Sequence, residues 1–119
     1  MTKSRTEIGR SSRRKGKVGE REVVNALNAA GFEAAHRSAQ YCGNTGDAPD
    51  VEGLPGIHIE VKRVERLNLR KAYEQAVNDS KKSGDIAAVF HRGSYQPWMV
   101  TISLEDFLKL IKKGMLTNE

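Results

Sequence analysis

With 119 residues, 38% of them hydrophobic, 29% charged and only 6% aromatic, the chain has the composition of one soluble domain with a modest aliphatic core. No apolar run reaches membrane-spanning length, the basic start has no signal-peptide h-region, and Cys42 alone offers neither an internal disulfide nor a Cys/His zinc site. Of the net charge of +5, residues 1–17 carry seven basic side chains against one acidic, so a basic flexible arm is expected before a near-neutral domain.

Such an arm either lies along a polyanion, releasing counterions, or simply solubilises the chain. The pattern predicts a first helix from Val18 to Ala30, ended by Gly31, with Val23, Val24, Leu27 and Ala30 as its apolar stripe. Glu20 falls on that same inward face. A carboxylate there needs a partner or an ion, unless the first turn frays and it reaches water. Phe32 to Ser38 reads as a strand, and Gln40 to Ala48 as a loop holding Cys42 and Asp47, the latter suited to an Asx turn.

Ala48-Pro49-Asp50-Val51-Glu52-Gly53 then leads through the turn Leu54-Pro55-Gly56 into Ile57-His58-Ile59-Glu60-Val61-Lys62. In these six residues Ile57, Ile59 and Val61 alternate with His58, Glu60 and Lys62, as in a strand with one apolar face. The turn can fold Asp50 back beside Glu60 and Lys62. Arg63 and Arg66 open a second basic patch, followed by a helix capped by Asn68 and running from Leu69 to Ser83. Its stripe is Leu69, Ala72, Tyr73, Ala76 and Ser80, with Gln75 at the edge. Ile86 to Phe90 predicts a central strand buried on both faces, and Pro97 to Ile102 its partner. Ser103 caps a last helix that Phe107, Leu108 and Ile111 are expected to dock, fraying over 114–119. The order of elements implies an α/β domain over 18–113, with one mixed central β-sheet flanked by α-helices.

Asp50, Glu60 and Lys62 are the chemically informative residues. Two carboxylates suit a hard cation such as Mg²⁺, which prefers oxygen ligands and keeps several waters. Such an ion can activate water and neutralise charge on a phosphodiester, and a lysine beside it adds a second positive charge. His58 shares their face but reads as a strand-surface residue, because Mg²⁺ prefers oxygen. His36 and His91 carry no role, and Tyr95 and Trp98 are expected to pack in the core or a hairpin.

Pro49-Asp50 followed by Glu60-Val61-Lys62 resembles the PD-(D/E)xK nuclease superfamily. Lys15-Gly16-Lys17-Val18-Gly19-Glu20-Arg21-Glu22 is similar to the helix start of archaeal-type Holliday junction resolvases. Gly31-Phe32 with His36-Arg37-Ser38-Ala39 is similar to their next strand. The long Gln40–Ala48 loop departs from their shorter glycine/serine-rich one.

The resemblance implies a restriction-endonuclease-like core, with Asp50, Glu60 and the Val61 carbonyl as ligands of Mg²⁺, which Mn²⁺ can replace. Glu20 is implied as a further carboxylate, Lys62 as the group that orients or activates water, and Ser38 and Gln75 as additional site residues. It also implies a homodimer acting on branched DNA in the cytoplasm of a microbial or phage-infected cell, with no membrane and no small-molecule cofactor. Arg10, Arg13, Arg14, Lys15, Lys17, Arg37, Arg63 and Arg66 are the expected DNA contacts. Competing readings are a restriction-like or repair nuclease on duplex or flap DNA, and an inactive nucleic-acid-binding module of the same fold.

Overall fold

The computed structural model describes residues 5–38 and 48–117, the side chains of 5–15 and 115–117 excepted. The loop residues Cys42 and Asp47, and the side chains of Arg10, Arg13, Arg14 and Lys15, therefore lie outside the described residues. Three helices, α1 (Arg5–Ala29), α2 (Leu69–Ser80) and α3 (Leu104–Thr117), accompany five strands. These are β1 (His36–Arg37), β2 (Val51–Glu52), β3 (Ile57–Arg63), β4 (Ile86–Arg92) and β5 (Met99–Thr101). The strands form one sheet in sequence order, parallel only between β3 and β4 and antiparallel elsewhere. This is the mixed α/β sheet expected, and the α2 crossover is what permits the parallel pair.

The two faces of β3 are both covered. Val23 of α1 packs with Val51, Ile59 and Val61, while Ala72 and Ala76 of α2 pack with Ala87 and Val89 of β4. Because His58 pairs with Ala87 and Glu60 with Val89, His58, Glu60 and Lys62 project to the α2 face. Ile59 and Val61 project to the α1 face. Gly19 lets α1 approach closely, since a Cβ there would lie 3.0 Å from that of Arg63 and 3.3 Å from Val61 Cγ1.

Local signals set the element ends. Gly31, at φ 105°, closes α1 in a Schellman turn in which Phe32 N–H donates to Leu27 O and Gly31 N–H to Asn28 O. Leu54 O accepts from Ile57 N–H to close the turn between β2 and β3. Asn68 Oδ1 accepts from Lys71 N–H, and Ser103 Oγ from Asp106 N–H, so both predicted helix caps form.

Four expectations are corrected. Helix α1 starts at Arg5, not Val18; the Arg- and Lys-rich segment has good helix propensity and no proline to stop it. The first strand is only His36–Arg37, because a turn from Ala35 N–H to Phe32 O and the Asn28 amide occupy the backbone of 32–35. Tyr95 does not pack in a hairpin. It is 98% exposed, at positive φ in the third position of the turn Gly93–Gln96. Phe107, Leu108 and Ile111 do not dock α3, and with Leu104 they remain exposed. Helices α1 and α2 already occupy the two faces of the central strands, so α3 does not pack there, and Met99 and Val100 of β5 are exposed as well.

Candidate active site

The site forms where β2 splays away from β3. Asp50 N–H still donates to Ile59 O at 2.8 Å, but at the next rung the Asp50 side chain replaces the backbone, with Oδ2 accepting from Val61 N–H at 2.8 Å. That hydrogen bond turns the Asp50 carboxylate toward Glu60. Lys62 follows two residues later on the same face, half-buried and in no ion pair among the described residues. Asp50, Glu60, Val61 and Lys62 are thus brought together, as the spacing suggests.

Glu60 is only 6% exposed. Burial foremost pushes its carboxyl above the ordinary range, and the facing Asp50 pushes the same way against the opposing effect of His58. Crowded negative charge of this kind fits a divalent cation, which would offset both carboxylates with oxygen ligands. The donor set therefore suits Mg²⁺ or Mn²⁺.

His58 is not a strand-surface residue. It is 3% exposed, and its Nε2 lies 3.1 Å from Glu60 Oε1. That hydrogen bond is the main reason its imidazole is pushed up despite burial. Asp79 of α2 completes a group in which one ligand atom each from His58, Glu60 and Asp79 lie within 4.8 Å of one another. Asp79 Oδ2 is buried with no hydrogen-bond partner among the described residues. Beyond them a cavity of about 180 Å³ is lined by Pro49, His58, Asp79, Lys82, Ser83 and Asp85. The sequence signals were present but indirect: His58 shares the Glu60 face, and Asp79 follows the Ala72–Ala76 stripe by three residues.

Other expected residues take different places. Glu20 is on α1, across the sheet from Glu60, and pairs with Arg37 Nε at 2.9 Å. Ser38 N–H donates to Asp50 O, while the Ser38 hydroxyl is buried without a hydrogen-bond partner. Gln75 is exposed on α2, beside the buried stripe of Ala72, Ala76 and Ser80.

Lys17 and Arg66 are exposed. Arg63 Nε lies 3.6 Å from Glu22 Oε2, and Arg92 Nη1 lies 3.4 Å from the same oxygen. Trp98 Nε1 donates to that oxygen as well, and its ring packs against the core as expected. His36 is exposed against Glu52, and His91 Nε2 lies 2.8 Å from Thr101 Oγ1 across β4 and β5. No described helix is long and apolar enough to cross a membrane.

Known proteins share this architecture. The chain matches the solved structure of Hjc, a Holliday junction resolvase from the archaeal hyperthermophile Archaeoglobus fulgidus, with a TM-score of 0.55 and 29% sequence identity. The match covers 70% of this chain and 72% of the other. No protein-family profile and no curated protein matches the chain.

Proposed function

We propose that the chain is a nuclease of the PD-(D/E)xK kind, a metal-dependent endonuclease selective for branched DNA; its similarity to an archaeal Holliday junction resolvase supports this reading. The observation that carries the reading is the pairing of Asp50 with Glu60, one carboxylate fixed by Val61 N–H and the other buried, beside Lys62. Asp50, Glu60 and the Val61 carbonyl would hold Mg²⁺ or Mn²⁺. When bound, the ion supplies a water of lowered pKa and neutralises charge on the phosphodiester.

The chain's own residues do the rest. Asp50 and Glu60 set the place of the ion, and Lys62 presents its ammonium where negative charge develops on the phosphate. Ser38, whose N–H donates to Asp50 O, is a further proposed site residue beside the carboxylates. Gln75, exposed on α2, is proposed as an additional site residue. Arg10, Arg13, Arg14, Lys15, Lys17, Arg63 and Arg66 supply the positive charge that would follow the DNA backbone.

A homodimer belongs to the same proposal. Leu104, Phe107, Leu108 and Ile111 lie at helical spacing along α3 and are exposed, Leu104 to 72%. The helix is acidic in its first turn at Glu105 and Asp106, where Lys109 pairs with both, and carries Lys112 and Lys113 further along. Two copies packed antiparallel would match apolar stripe to stripe and bring the acidic first turn of one toward the lysines of the other. Such a pair gives two sites for two strands.

A gel comparing a four-way junction, a flap and a linear duplex, with and without Mg²⁺, tests the substrate. Mg²⁺-dependent cleavage of the junction in preference to the others is expected. Preference for duplex or flap would favour a restriction-like or repair nuclease, and tight binding without products would favour an inactive module.

A further inference from the structure

The buried pair His58–Glu60 has an apolar side, where its sheet neighbours Ala87 and Val89 pack with Ala72 and Ala76 of α2, and a polar side formed by Asp50, Asp79 and the cavity. Burying an imidazole costs free energy unless it is satisfied. Among the described residues, the hydrogen bond of His58 goes to the side chain of Glu60.

We infer that His58, backed by Asp79, is a positioning residue that aims the Glu60 carboxylate at the divalent ion. The inference rests on Glu60 being an ion ligand. A glutamate reaches its carboxylate through three rotatable bonds, and several rotamers would point it away from Asp50. The contact from His58 Nε2, at 3.1 Å, occupies Oε1 and would leave Oε2 to the ion. An ionised carboxylate only accepts hydrogen bonds, so Nε2 carries the hydrogen in this pair.

Asp79 lies beside the pair. One of its carboxylate oxygens is within 4.8 Å of a ring nitrogen of His58 and of a carboxylate oxygen of Glu60, and Oδ2 has no hydrogen-bond partner among the described residues. Its negative charge, close to the imidazole, opposes a rotamer that would turn the ring N–H away from the carboxylates. Groups one step removed from a metal ligand act in this way, by fixing its direction.

The test is titration of the full chain with Mn²⁺, read by the loss of the free-ion electron paramagnetic resonance signal, beside thermal melts in EDTA. For His58→Leu the Mn²⁺ dissociation constant is expected to rise by about 10- to 100-fold, while a cooperative melt in EDTA shows that the variant is folded. His58→Gln, whose amide can still donate to Glu60 Oε1, is expected to recover most of the lost affinity. Unchanged Mn²⁺ affinity in a folded His58→Leu would overturn the inference, and so would failure of His58→Gln to bind better than His58→Leu. If wild type and Glu60→Gln bind Mn²⁺ equally, the reading of Glu60 as a ligand fails instead.

Discussion

Glu60 carries a conflict that a pH series can expose. Its folded carboxyl is raised above its ordinary 4.5, foremost by burial and further by Asp50, and His58 is raised above 6.5 by Glu60. In both cases the folded chain binds the proton more tightly than the unfolded one. The contribution to stability is therefore fully present below about pH 4.5, and falls as pH rises through each raised value. Glu60→Gln removes the carboxylate and the partner that raises His58. In metal-free urea titrations the stability of Glu60→Gln relative to wild type should climb steadily from pH 4.5 to pH 8. A difference that is flat or declines with pH would mean that Glu60 is not strained by its surroundings.

At the scale of elements, α3 is the piece whose partner is absent from its own fold. Substituting Leu108→Glu puts a charge in the middle of the exposed stripe without touching the core. If two copies meet there, sedimentation velocity should show the dimer weakened by about thirtyfold or more, the equivalent of about 2 kcal/mol. An unchanged association state would place the interface elsewhere.

The same element marks where sequence reasoning stops. The cap at Ser103 and the stripe were legible because they are local, but what the stripe meets depends on α1 and α2 having taken both sheet faces. Asp50, Glu60 and Lys62 were legible for the opposite reason: a two-residue alternation and one tight turn fix their relation. The burial of His58 was not. It follows from α2 covering the second face of β3, a tertiary fact that also brings in Asp79 from twenty-one residues downstream of His58. Glu20 lies on the inward-facing part of α1 as its spacing suggested, yet its immediate partner is Arg37, on a strand that begins later than the pattern indicated.

For the molecule as a whole, charge is concentrated in the first residues. Truncating residues 1–14 removes Lys3, Arg5, Arg10, Arg13 and Arg14, while Gly19 and Val23, through which α1 packs on the sheet, are retained. Anisotropy titrations of a labelled junction across a salt series should then show weaker binding. The slope of log K against log salt should shrink by roughly 0.9 for each phosphate that the shortened chain no longer neutralises. An identical slope would mean that the segment touches no phosphate.

One acidic pair and one ammonium acting on a phosphodiester are the centre of the proposed chemistry. Single-turnover cleavage of an end-labelled four-way junction in Mg²⁺, run beside a binding isotherm in Ca²⁺, compares wild type with Asp50→Asn, Glu60→Gln and Lys62→Ala most directly. Wild type should cleave and each variant should lose at least about a hundredfold in rate while still binding the junction. Variants that cleave as fast as wild type would contradict the assignment of the site.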